Sequence, residues 1–257
     1  MKLVMDSLLV VLTKLSLITA FVVVGIVVWV SYRLSDVLSK GRFHGSAIAI
    51  ILGLVLAYLG GLMTGGEKGL ADIAVFAGIG VLGGAMFRDF AIVATAFGAD
   101  LEDFKKSGAV GMLSIVLGVV LSFAVGALVA VAFGYTDPVD ISTIGAGAAT
   151  YIVGPVTGTA LGAGSEVIAL SVGAGLVKSI LVMVGTPLVA RHIGLNNTKS
   201  AMIYGGLMGT TSGVAGGLAA TDPRLVPYGA LTATFYTGMG CLLAPSLLYL
   251  IVRALMG

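Results

Sequence analysis

Two apolar stretches, Ser142–Ser165 and Ser200–Thr221, hold six glycines each and are threaded with hydroxyls. The first carries Thr143, Thr150, Thr157 and Thr159, and the second Thr210, Thr211 and Ser212. Glycine at this density weakens a helix and leaves backbone groups without helical partners. At membrane depth, non-helical backbone persists only where protein buries it or where it lines a watery cavity. Secondary transporters build substrate sites from such broken segments, in two corresponding copies. A helix that begins at a break aims its N–H groups and positive dipole end at an anion. Free carbonyls and threonine hydroxyls suit a hard cation such as sodium.

Each stretch has a tight polar core: Gly154-Pro155-Val156-Thr157-Gly158-Thr159 in the first, Gly209-Thr210-Thr211-Ser212-Gly213 in the second. Thr157, Gly158, Thr159, Thr210, Thr211, Ser212 and Gly213 are therefore candidate substrate ligands, and Thr150 a candidate sodium ligand. Pro155, which lacks an N–H, is expected to mark where the first stretch breaks. Close helix packing through small residues is the competing explanation. The occurrence of two such stretches favours a site.

Among ionisable residues, Lys178 falls in the middle of the apolar run Val167–Val189. There it either contacts a substrate or snorkels from a tilted helix. Arg88 and Asp89 interrupt another apolar run; they lie at an interface, or at depth with Arg88 facing a carboxylate and Asp89 a cation. Asp222 ends the second stretch beside Arg224, as a turn residue or a further sodium ligand. His44 and His192 belong to basic loops. No Cys/His metal constellation, nucleotide loop or nucleophile–base pair is present, so neither enzymatic chemistry nor a cofactor is expected.

The elements that must position these residues follow from composition. The chain has 257 residues, 58% hydrophobic and 10% charged, with a mean hydropathy of +1.11. Soluble domains carry about 25% charged residues, so this is an all-α integral membrane protein. Spans of about 20 apolar residues are expected at Leu8–Tyr32, Ser46–Met63, from near Ile73 to an interruption at Arg88–Asp89, then Ala109–Phe133, Val167–Val189 and Val226–Val252. The sole cysteine, Cys241, excludes an internal disulfide.

Lysine and arginine in short loops place Arg33, Lys40, Arg42, Lys105 and Lys106 on the cytoplasmic side. Arg191, His192 and Lys199 join them only if Ser142–Ser165 enters and leaves the membrane on the external face. The second stretch then either dips in from the cytoplasm, which inverts the two units and is the preferred reading, or spans the membrane, which places Arg253 inside. A shift of 58 residues carries Gly147 onto Gly205, Gly158 onto Gly216 and Pro187 onto Pro245. Residues 1–141 are thus expected to form scaffold helices with one interrupted helix, and residues 142–257 a transport core of two units, each a broken segment followed by a span. An elevator-like movement is expected of them by analogy.

The order of segments resembles a known family. So do Gly83-Gly84-Ala85-Met86-Phe87-Arg88-Asp89-Phe90 and Gly154-Pro155-Val156-Thr157-Gly158-Thr159-Ala160-Leu161. That family is MadM, the larger membrane subunit of the bacterial malonate:sodium symporter, and the resemblance covers the whole chain. It implies uptake of malonate with sodium as coupling ion, a smaller membrane partner, MadL, and a multi-pass location in the bacterial inner membrane. Alternative functions are the membrane subunit of a sodium-pumping decarboxylase, or an uncoupled channel or exporter component.

Overall fold

The computed structural model describes residues 2–40, 44–65, 69–83 and 101–256. Among these residues there are helices and turns but no strand, and five helices are long and apolar enough to cross a membrane: Ser16–Leu38, Gly45–Thr64, Gly108–Ala132, Ser165–Val189 and Pro223–Met256. The chain forms two compact units, residues 1–94 and 95–257.

The first unit contains α1 (Lys2–Lys14), α2 (Ser16–Ser39), α3 (Gly45–Thr64), two 3-10 turns (Gly69–Asp72 and Ala74–Phe76) and α4 (Gly78–Gly83). The span expected at Leu8–Tyr32 is divided at Leu15, and its membrane helix starts at Ser16. The Thr19 hydroxyl lies within hydrogen-bond reach of the carbonyls of Leu12 (3.0 Å) in α1 and Leu15 (3.3 Å) at the break. The span expected from Ile73 is not a continuous helix where it is described, because Ile73 is extended between the two 3-10 turns. Arg88 and Asp89 lie outside the described residues. Backbones meet closely in this unit: a Cβ on Gly78 would stand 2.2 Å from the Ser16 carbonyl, and one on Gly60 2.6 Å from the Leu70 nitrogen.

The second unit holds α5 (Leu101–Ala132, kinked at Gly108), α6 (Pro138–Ala149), α7 (Val153–Leu161), α8 (Ser165–Val189), α9 (Thr198–Met208), α10 (Thr211–Ala219) and α11 (Val226–Leu243). A π-type turn at Ala244–Leu248 joins α11 to α12 (Tyr249–Met256). Thus α5 belongs to the same compact unit as both Gly/Thr stretches, although the sequence division into scaffold and transport core falls after it, at 141/142. Local signals set the short helices. Asp137 caps α6, with Pro138 at its first position, and Asn197 and Ser200 form a reciprocal capping box at α9.

Short helices at a Gly/Thr stretch could continue one another or double back. They double back. A Cβ on Gly154 would meet the Gly147 Cα at 2.9 Å, and one on Gly158 the Thr143 methyl at 2.8 Å. That register is antiparallel, so α6 and α7 form a hairpin whose tip is residues 150–152. In the second hairpin, α9 runs along α11 with Gly205 against Gly229 and Gly209 against Tyr236, while α10 returns with Val214 and Leu218 against Gly229. Its tip is Gly209–Thr210.

The long helix α8 shows that the hairpins enter from opposite ends. Its first half backs onto hairpin 1, Ser171 against Gly147 and Gly154, and Gly175 against Tyr151. Its second half backs onto hairpin 2, Ser179 against Gly213, Met183 against Gly216 and Thr186 against Gly217. The two tips therefore arrive at the middle of α8. Two hairpins of opposite direction, the arrangement preferred from the loop charges, are present.

Packing follows membrane rules. The buried side of α8 carries Ser171, Gly175, Ser179 and Thr186, whereas Leu170, Val177, Leu181 and Leu188 are exposed. Small residues let backbones approach where hydrocarbon gives no reason to hide leucine.

Candidate functional site

The 58-residue shift suggested by three pairs in the sequence relates the two hairpins and the long helices that follow them. It carries α7, Val153–Leu161, onto α10, Thr211–Ala219. It also carries one close contact onto another: a Cβ on Gly147 would stand 2.2 Å from the Ser171 carbonyl, and one on Gly205 2.1 Å from the Gly229 carbonyl. The same shift carries Lys178 onto Tyr236, and these two residues touch.

Lys178 stands where the tips meet. Its Nζ donates to the Ala149 carbonyl (2.8 Å), the Ser122 hydroxyl (2.9 Å) and the Tyr236 hydroxyl (3.2 Å). It also lies 5.0 Å from the centroid of the Tyr236 ring. Tyr236 OH donates in turn to the Gly118 carbonyl (3.1 Å), with the Ala149 carbonyl at 3.4 Å. Ala149 ends α6, so the ammonium sits at the negative end of that helix. All three donors of the ammonium are engaged, and every partner is neutral. The charge has hydrogen bonds and no carboxylate.

Hairpin 2 reaches the same level through Thr210. Its hydroxyl pairs with Ser179, the neighbour of Lys178, and accepts the Gly213 N–H at 3.4 Å as the cap of α10. Thr211 and Ser212 are half-buried in the first turn of α10, where helical geometry leaves amides without partners. Gly209 turns the tip in the left-handed region (φ +71°), and its Cα side presses on the Tyr236 ring, where a Cβ would stand 2.3 Å away. Thr150 is buried at the tip of hairpin 1; its hydroxyl accepts a long bond from the Ile152 N–H, 3.5 Å, and its carbonyl accepts the Val153 N–H at 2.9 Å. A cleft of about 520 Å³ opens beside this junction, lined by Gly118, Ser122, Ala148, Lys178 and Met208 among others. Small organic ligands occupy pockets of about 300–1,000 Å³.

The sequence-derived candidates divide by position. Lys178, Thr150, Thr210, Thr211, Ser212 and Gly213 come together at the centre. Thr157 and Gly158 are buried in the interior of α7, more than a turn beyond the tip, and Thr159 is exposed on that helix. Pro155 occupies the first turn of α7, where no donor is needed, and the chain breaks ahead of it at residues 150–152. Asp222 lies past the far end of α10, with its carboxylate accepting from Arg224 Nη2 at 2.8 Å and Nε at 3.0 Å. Those hydrogen bonds hold its carboxyl below the usual carboxylate range. Arg88 and Asp89 lie outside the described residues. Sequence reading did not single out Ser122, Ser179 or Tyr236. The repeat offset was the signal for Tyr236, since Lys178 plus one repeat length lands on it.

Among the described residues, no group of three or more His, Cys, Asp or Glu could hold a metal ion. In comparisons with known proteins, no curated relative and no solved structure matched the chain. Residues 8–256 match the family described as Malonate/sodium symporter MadM subunit. By that match over nearly its whole length, this polytopic helical chain belongs to the MadM family.

Proposed function

We propose that the chain is the large subunit of a carrier that takes up malonate together with sodium ions, and that the malonate site is the junction of the hairpin tips. The observation that carries this reading is Lys178, an ammonium in mid-span whose hydrogen-bond partners are all neutral. A carboxylate is the partner its charge lacks. The first-turn amides of Thr211 and Ser212 in α10, which begins at its tip, add donors for a second carboxylate. Thr210, Thr211, Ser212 and Gly213 border that position, and Tyr236 and Ser122 orient the lysine.

Energetics favour coupling. Malonate is a dianion at neutral pH, and moving each charge against the membrane potential costs about 2.3 kcal/mol per 100 mV. A cotransported cation offsets that cost. Loop charges orient the second unit: Lys105, Arg191, Lys199 and Arg224 lie at the end from which hairpin 2 enters, while Asp137, Asp140 and Glu166, with Arg253 as the lone cation, lie at the other. The first end is cytoplasmic by the distribution of lysine and arginine, in the inner membrane of a bacterium. A small membrane partner of the MadL kind completes the carrier.

Reconstitution with and without that partner tests the reading. Labelled malonate should accumulate under an imposed inward sodium gradient and not under a potassium gradient. Entry that ignores sodium and stops at equilibrium points to an uncoupled path. Sodium movement without malonate entry points to a pump subunit.

A further inference from the structure

Buried hydroxyls in helices of this chain return their protons to the backbone. Thr143, Ser171, Thr186 and Thr232 each donate to a carbonyl three or four residues earlier, as do the half-buried Thr234 and Thr237. That is the ordinary solution for a hydroxyl in an apolar setting. Ser179 and Thr210 pair with each other instead, and, among the described residues, two fully buried hydroxyls, Ser142 Oγ and Thr157 Oγ1, have no hydrogen-bond partner. An orphaned buried hydroxyl is costly and calls for an explanation.

Both belong to hairpin 1. Thr143 opposes Gly158 in the antiparallel register, so Ser142 and Thr157 lie on facing arms within a turn of the same level. Thr157 shares a face of α7 with Val153, one turn away, and Val153 packs on Gly240 of α11. Both arms of the hairpin also pack on the turn at Ala244–Leu248. That turn is of π type and contains Pro245. Such turns displace main-chain carbonyls from the helical ladder and recur at functional sites. Hydroxyl and carbonyl oxygens are the ligands a hard cation takes, and a neutral donor set suits a monovalent ion better than a divalent one, which draws carboxylates.

We propose that Ser142 and Thr157, with main-chain oxygens of the Ala244–Leu248 turn, bind a sodium ion between hairpin 1 and the last span. The proposal rests on the reading that this carrier couples malonate to sodium. The site is separate from the Lys178 ammonium, which would repel a cation at the tips. It fixes the hairpin that supplies Ala149 to Lys178, so an ion bound here stiffens one wall of the anion site.

The test uses the full chain with its small partner in lipid nanodiscs, with Thr157→Val and Ser142→Ala as near-isosteric losses of oxygen and Thr157→Ser as the conservative control. Thermal midpoint is read in sodium chloride and in potassium chloride of equal ionic strength. Sodium should raise the wild-type midpoint saturably, and the half-saturating concentration should rise at least ~10-fold in Thr157→Val and Ser142→Ala but not in Thr157→Ser. In potassium, Thr157→Val should be as stable as wild type or more so, because it removes an unpaired buried hydroxyl; this separates loss of the site from misfolding. If wild type responds to sodium and the two variants respond with unchanged half-saturation, the site is elsewhere while coupling to sodium stands. If wild type treats sodium and potassium alike, the proposal falls together with sodium coupling itself.

Discussion

The two hairpins are related by one offset and back onto opposite halves of α8, yet they are held together differently. In hairpin 1 the arms touch each other, with Gly154 on Gly147 and Gly158 on Thr143. In hairpin 2 the arms diverge below the tip, and Gly229 of α11 meets both of them, Ala201 on one side and Val214 and Leu218 on the other. The repeat explains the difference in part: the position of Gly154 is occupied by Ser212 in the second copy, and a side chain there does not let two backbones close. Hairpin 1 is cohesive by itself, whereas hairpin 2 takes its cohesion from α8 and α11. An anion site between them has one rigid wall and one whose shape depends on its neighbours.

The largest expected effect tests whether the two copies are equivalent at all. Gly147→Ala and Gly205→Ala each drive a Cβ into main-chain oxygen at the corresponding place, and each should destabilise by ~3 kcal/mol or more. Thermal midpoints in detergent should fall by similar amounts. A tolerated Gly147→Ala beside a ruined Gly205→Ala would break the equivalence.

Next in size is the junction itself. Lys178→Met should weaken malonate binding by ~100-fold in equilibrium binding while leaving the protein folded, since it removes a charged donor and keeps the stem. Tyr236→Phe should cost ~10-fold, because the ring stays beneath the ammonium while the hydroxyl bonds are lost. Equal, negligible losses in both would remove the tips as the site.

The tips differ in capping. Thr210→Val deletes the α10 cap and the Ser179 partner and should cost ~1 kcal/mol; Thr150→Val deletes only a bond of 3.5 Å and should cost clearly less. Midpoints that rank the other way would reverse the assignment of the better-capped tip. The smallest expected effect lies farthest from the tips. Asp222→Asn breaks an exposed pair and should leave sodium half-saturation within about twofold of wild type; a larger change would bring Asp222 back as an ion ligand.

Much of this fold was legible in the residues. Apolar run length gave the spans of the second unit, and the charges around Arg191 required a hairpin rather than a crossing. The first break was placed too late because Gly154-Pro155 reads as a helix stop, although proline in a first turn is harmless. The tip formed at Thr150, three residues ahead of Val153. The division of Leu8–Tyr32 at Leu15 is a local change of backbone angle within one apolar run, which composition does not reveal. Lys178 announced itself as a charge in an apolar run. Tyr236 and Ser122 are ordinary residues of a membrane helix, and only the register between helices makes them its partners.

The contact between Lys178 and Tyr236 has a consequence for how a centre like this can carry charge at all. Positions related by an inverted duplication that touch one another lie on its pseudo-symmetry axis, where in a true symmetric dimer each side chain would face its own twin. Two ammonium groups so placed would repel across a dry interior, and two tyrosines would offer no cation. Covalent joining of the halves lifts that restriction: one copy supplies the positive charge and the other its aromatic cradle, so the axis bears a single, unduplicated cation.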